Sequence, residues 1–306
     1  MCSTAASIDI RNYHELDQQL RAIPGWQGEY YQMSPGSFAG RTVHVALEDV
    51  EIFEEQMNLR VEQTFRTPVD ALVFSFDMKD STLHILTDQA SNTWVTPADY
   101  CELAVVFKRS ASILDGLAAD LGDLILTPLQ SKYCRLFSHW LSTTLHSAAR
   151  NPAAGLPLGI KEQLLEDCFF ILEQEMDGVS SEVVRSEQSR KAIRRVIELV
   201  EDSPCESFSA PELASAAGVS LRRLQQLFRA YAGMSPTQWL RLRRLNAVRR
   251  DLMRSTAAET TVAEVAMRWS FWHLGRFAQS YYSLFGEHPS TTLLHSASAS
   301  EAPQRA

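Results

Sequence analysis

The chain has 306 residues, 45% of them hydrophobic, and a formal net charge of −8. That length predicts two domains rather than one, each with enough apolar content to bury a core. No apolar run reaches the roughly eighteen residues of a membrane span, and the five cysteines, odd in number and never spaced C-x-x-C, read as free thiols in a reducing cytoplasm rather than a disulfide framework.

Met1–Tyr13 has neither a basic start nor an apolar stretch, so no signal peptide is expected. From Gly36 to Arg109 the chain reads as strands. Segments 71–78, 82–88 and 100–107 are short, rich in β-branched and aromatic residues and separated by polar or proline turns; 38–47 and 50–66 are further strands. These predict an antiparallel sheet or barrel of about five to seven strands. His44 and His84 sit on predicted strands without the partners a metal site needs, so no metal is expected.

Beyond Ser110 the period changes. Leu129, Tyr133, Leu136, Phe137, Trp140 and Leu141 recur at three- and four-residue steps after Pro128, which predicts a helix over 129–145. A second helix, 161–176, carries apolar residues on more than one face. Such a helix is covered by its own domain and by something else, read here as a second copy of the chain. Phe169, Phe170, Leu172, Tyr133 and Trp140 are the expected dimerisation residues. The boundaries that follow are a regulatory and dimerisation domain over 1–180 (β-rich 1–110, helical 111–180), a linker 181–189, a helical domain 190–295 and a disordered tail 296–306.

Charge is divided between these parts. Residues 1–189 hold 13 Lys and Arg against 27 Asp and Glu, whereas 190–292 hold 15 against 9, and all but Lys191 of those fifteen are arginine. An acidic body joined to an arginine-rich module suggests a module that meets phosphates, or else a solvated helical surface. The order of residues favours the first. Ser209 and Glu212 have capping-box spacing around Pro211 and open a small Ala-rich helix over 210–217. Gly218 suits a left-handed turn, and Ser220 caps a second helix that stops at Gly233. Leu221, Leu224, Leu227 and Phe228 form its core stripe, with Arg222, Arg223, Gln225, Gln226 and Arg229 on its other sides. This is the plan of a helix-turn-helix, with long donors near the start of the second helix to reach base edges.

The pattern recurs. Ala266 and Phe271 stand 52 residues after Ala214 and Val219; Phe277, Tyr281, Gly286 and Pro289 stand 53 after Leu224, Phe228, Gly233 and Pro236. Between the copies a helix over 235–253 has an apolar stripe from Trp239 to Leu252 and a basic one of Arg241, Arg243, Arg244, Arg249 and Arg250. The segments AGVSLRRLQQLF, GMSPTQWLRLRRLNAVRRDL, TVAEVAMRW and FGEHPS, in this order, resemble the DNA-binding domain of AraC/XylS family transcription regulators over about Ser189 to Leu294. The preceding half is more loosely similar to the regulatory halves of that family, in particular its ethanolamine-regulator-like branch.

The resemblance implies an α+β chain of two domains: a β-rich, barrel-like sheet with dimerisation helices, then an all-α domain with two helix-turn-helix motifs joined by a long helix. It implies a sequence-specific transcription regulator that binds double-stranded DNA as a homodimer, with no cofactor. RNA polymerase and a small-molecule effector are left open as partners; the alternative is a regulator without an effector, controlled by abundance or a protein partner. Arg222, Gln225, Gln226, His273, Arg276 and Gln279 are expected at base edges, and Ser220, Arg223, Arg241, Arg243 and Arg244 at phosphates. Two departures from the family pattern stand out. Ser270 replaces the usual glycine of the second turn, so either it adopts positive φ or the turn differs. Gln226 and Gln279 stand where arginine is frequent, and glutamine favours adenine in a bidentate contact. The enzyme reading has no motif: G-x-x-x-x-G-K-[ST], H-E-x-x-H and G-x-S-x-G are all absent, so no catalytic residue is expected.

Overall fold

In the computed structural model, residues 7–87, 91–108, 128–130, 132–151, 155–176 and 182–300 are described. The chain forms two compact units. One comprises residues up to Tyr30 and Phe38–Val184; the other comprises Tyr31–Ser37 and the chain from Arg185 onward.

The first unit is built on two sheets, the larger one antiparallel throughout. A seven-stranded sheet has the order β1 (Ser7–Tyr13), β3 (Gly40–Leu47), β4 (Val50–Met57), β9 (Tyr100–Lys108), β6 (Ala71–Asp77), β7 (Thr82–Thr87), β10 (Leu129–Gln130). A three-stranded sheet has the order β2 (Gln27–Gln32), β5 (Val61–Arg66), β8 (Asn92–Thr96), and the short helix α1 (Leu16–Arg21) follows β1. The segment 50–66, read as one strand, is two, and β1, β2 and β8 were not foreseen. Strands β4, β6 and β9 are buried along nearly their whole length because both faces of the sheet are covered. Val50, Ile52, Phe74, Phe76, Leu103 and Val105 face one core, which α2 (Lys132–Arg150) and α3 (Ile160–Met176) complete with Phe137, Leu141, Leu164 and Ile171. The alternate residues Phe53, Val73, Ala104 and Val106 face a second core with Ile23 and Phe65.

One helix start changes here. Leu129, placed in a helix, lies in β10, and the helix starts at Lys132. In α3 the apolar residues are used inside the unit: Leu172 is buried in the first core, and the Phe169 ring meets Phe74 and Phe107 at 6.1 and 6.2 Å. Tyr133 and Trp140 pack partly against the same core, whereas Phe170 is 45% exposed beside Tyr133. Of the expected helical stretch 111–180, residues 111–127 lie outside the described residues.

The second unit contains α4 (Glu182–Asp202), α5 (Ala210–Ala217), α6 (Leu221–Ala232), α7 (Pro236–Arg254), α8 (Val262–Arg268), α9 (Leu274–Phe285) and α10 (Pro289–Ser300). Residues 182–189, read as linker, open α4, and 296–300, read as tail, close α10. Helix α7 is shared by two half-domains. Phe228 packs edge-on against Trp239 near its start, at 5.1 Å, and Leu245, Val248 and Leu252 meet Val265, Phe277 and Tyr281 toward its end.

Candidate nucleic-acid interface

Each half-domain is a pair of helices whose angle is set by its turn. Helix α5 starts in a capping box, with Ser209 Oγ accepting from the Glu212 amide and the Glu212 carboxylate accepting from the Ser209 N–H at 2.7 Å. It ends at Gly218 with φ 68°, where the Val219 N–H turns back to the Ala214 carbonyl at 3.1 Å. Helix α8 repeats this with Thr261 and Glu264, and the Phe271 N–H returns to the Ala266 carbonyl at 2.9 Å. The same bonds close both turns, 52 residues apart. The cap hydrogen bonds hold the carboxyls of Glu212 and Glu264 below their usual range.

Ser270 fills the place of Gly218 with φ 63°, so it adopts the left-handed conformation rather than changing the turn. That conformation costs a serine about 1 kcal/mol, and its hydroxyl gains a hydrogen bond to the Cys205 carbonyl at 2.8 Å. The starts of the second helices of the two pairs, α6 and α9, differ. Ser220 caps α6 by accepting from the Arg223 amide at 3.2 Å, whereas His273, its counterpart 53 residues on, makes no side-chain cap on α9.

Arg222, Gln225 and Gln226 on α6, and His273, Arg276 and Gln279 at the start of α9, are all exposed, opposite the buried stripes Leu224–Phe228 and Phe277–Tyr281. The two trios are not equivalent in register. The 53-residue offset pairs Gln226 with Gln279 and Arg223 with Arg276, but Arg222 with Gly275 and Gln225 with Ala278. Trp272, 71% exposed, stands at the mouth of α9.

The arginines expected at phosphates are tied within the unit. Arg223 donates to Ser189 Oγ at 3.2 Å, Arg241 to Ser280, and Arg244 to the Glu206 carbonyl. Burial also pulls the Arg244 guanidinium below its usual range. Arg243 is only 3% exposed and pairs with Glu201 at 3.0 Å, which removes it from the set open to a phosphate. The periodicity that put Arg243 on a basic stripe carries no information about the α4 carboxylate that buries it.

Among the described residues no cluster of three or more His, Cys, Asp or Glu is placed to hold a metal. His44 meets Glu51 at 3.2 Å, and the His84 ring lies against Trp94. No helix among the described residues is long and apolar enough to cross a membrane.

A protein-family model for a helix-turn-helix domain matches residues 213–294. Over 120 residues, 39% of its length, the chain is 38% identical to the XylDLEGF operon transcriptional activator 3 of Pseudomonas putida. It spans only 36% of that protein. It is 37% identical, again over 120 residues, to the XylDLEGF operon transcriptional activator 2 of the same organism, and spans 76% of it. Among solved structures, a probable AraC family transcriptional regulator from Rhodopseudomonas palustris is 33% identical, with a TM-score of 0.31. That match covers 33% of this chain and 94% of the other.

Proposed function

The chain belongs to the AraC/XylS family of transcription regulators, and from that premise we propose that it reads DNA with both helix-turn-helix motifs at once. Helices α6 and α9 enter successive major-groove segments about one turn, ~34 Å, apart. The observation that carries this is the repetition of one turn geometry around a shared α7, each copy with an exposed polar face at the start of its second helix. Two readers on one helix share the entropy of association and lengthen the sequence recognised. The test is selection of duplexes from a random pool by the full-length chain. Two preferred blocks about 10 base pairs apart are expected; a single block, or binding indifferent to sequence, overturns the reading.

The first unit supplies dimerisation, with Phe170 the exposed member of the expected set and Leu136, 65% exposed on α2, a second exposed apolar residue. Sedimentation of the chain at micromolar concentration is expected to show a dimer and Phe170→Glu a monomer, because the carboxylate would be buried unpaired. A monomer before substitution sinks the assignment.

A further inference from the structure

The second unit includes a piece of chain from far upstream. Tyr31–Ser37 (YQMSPGS) packs with α7 and α9, and Tyr31, Gln32 and Met33 are each buried to 5% exposure or less. Gln32 is gripped at its backbone and its side chain. Its N–H donates to Asn246 Oδ1 at 2.8 Å, and its carbonyl accepts from Asn246 Nδ2 at 3.0 Å. Its side-chain amide nitrogen reaches the carbonyls of Ser34, Gly36 and Leu284 at 2.9, 2.8 and 2.8 Å. The Leu284 carbonyl also accepts from the Gly36 N–H at 3.0 Å. Gly36 has φ 134°, a conformation that glycine alone enters cheaply. The Tyr31 ring lies under two guanidinium groups of α7, Arg243 at 4.1 Å and Arg250 at 4.7 Å.

Two features of this docking fix its role. Asn246 lies mid-way along α7, and Leu284 lies in the last turn of α9, where helix carbonyls lack intrahelical donors. The strap therefore joins the shared helix to the far end of the second recognition helix. It covers none of the six candidate base-reading residues, all of which stay exposed. It ties α7 to the end of α9 and leaves that face open.

We propose that Tyr31–Ser37 is a clasp that positions the second recognition helix, with Gln32 and Asn246 as positioning residues for the second half-site. By tying α7 at Asn246 to the α9 terminus at Leu284, it holds α9 at the angle at which its exposed face meets the groove in step with α6. The inference rests on the two-block reading proposed above. It also makes the module defined by residues 213–294 incomplete: its second half-site specificity depends on residues more than two hundred positions earlier in the chain.

The test uses the full-length chain and duplexes that the unaltered protein selects from a random pool, with either block scrambled. The second block is the one whose readout Gln279→Ala relaxes. For the unaltered chain, scrambling either block costs affinity well beyond tenfold, since each mismatched pair costs about 5- to 150-fold and a block holds several. In Gln32→Ala and in Asn246→Leu, scrambling the first block is expected to cost as much as before, while scrambling the second costs less than about threefold. A general loss of folding weakens both blocks alike and does not produce this asymmetry. Gln32→Ala lies outside the helices, so it decides the matter if Asn246→Leu fails to fold. Full discrimination at the second block in Gln32→Ala, or equal loss at both, overturns the clasp. If the unaltered chain selects no two-block duplex, the two-reader proposal itself falls, and the clasp with it.

Discussion

The first unit is expected to lose stability as pH rises from about 4.5 to about 8, through one buried carboxyl. Glu55 and Glu102 are directly opposite on neighbouring strands β4 and β9, on the same face of the sheet, and both are buried. Like charges so placed repel, and burial disfavours ionisation of each. Burial first, and then Glu55, pushes the Glu102 carboxyl up to about 8, with Ser75 Oγ at 2.5 Å opposing the shift. Glu55 is raised by burial too, although Gln19, Gln63 and Tyr30 donate to it at 3.0, 3.0 and 3.2 Å. Below the ordinary carboxylate range both folded and unfolded chains hold the Glu102 proton. Between about 4.5 and 8 only the folded chain holds it, so stability falls with pH at ~1.4 kcal/mol per unit for this group. Over that window the loss reaches about 4 kcal/mol, a large share of the 5–15 kcal/mol typical of a domain. Glu51, held low by His44 and Lys108, has the opposite sign, but its stabilisation is lost only as pH falls below the ordinary carboxylate range. The check is hydrogen exchange of the β4, β6 and β9 amides at pH 5 and pH 8, corrected for intrinsic rate, in the native chain and in Glu102→Gln. Protection should fall by several kcal/mol in the first and much less in the second. Equal slopes, or protection that rises with pH, would show that Glu102 ionises normally.

The helical half was legible because its signals are local. Caps at Ser209, Ser220, Ser235 and Thr261 and stops at Gly218 and Gly233 each act within a few residues, and each bounds a helix in the structure. The charge pattern was less informative. Residues 182–189 read as a linker because they are polar, yet Glu, Arg and Gln are good helix formers and α4 runs through them. In the first unit, burial of both sheet faces erased the alternation by which strands are recognised. The strap was invisible for a different reason. Its anchoring bond joins residues 214 positions apart, and nothing in YQMSPGS announces a partner. Arg243 shows the same limit from the other side, since Glu201 and Tyr31 come to it from other parts of the chain.

Changing Gln226 or Gln279 to alanine is expected to relax specificity at one base pair each, and at different ends of the operator. These two glutamines occupy the same register on α6 and α9, are exposed, and each lies two residues past a buried core residue, Leu224 or Phe277. A glutamine amide offers a donor and an acceptor side by side, which matches the N6 and N7 edge of adenine in the major groove. Losing such a bidentate contact costs ~1–3 kcal/mol, or about 5- to 150-fold in affinity, for the preferred base and almost nothing for the others. Phosphate contacts behave otherwise. Arg241→Ala or Arg223→Ala, if the side chain leaves its Ser280 or Ser189 partner to meet DNA, should weaken binding to every sequence alike and lower the salt slope by about one unit. Arg276 provides an internal comparison, since its register counterpart is Arg223: base-edge behaviour at Arg276 and phosphate behaviour at Arg223 would mean that the two readers dock differently, as their unlike caps at His273 and Ser220 allow. Each variant is titrated against a panel of single-base operator changes at two salt concentrations. If Gln226→Ala and Gln279→Ala both lose affinity uniformly across the panel, or lose none, neither glutamine reads a base.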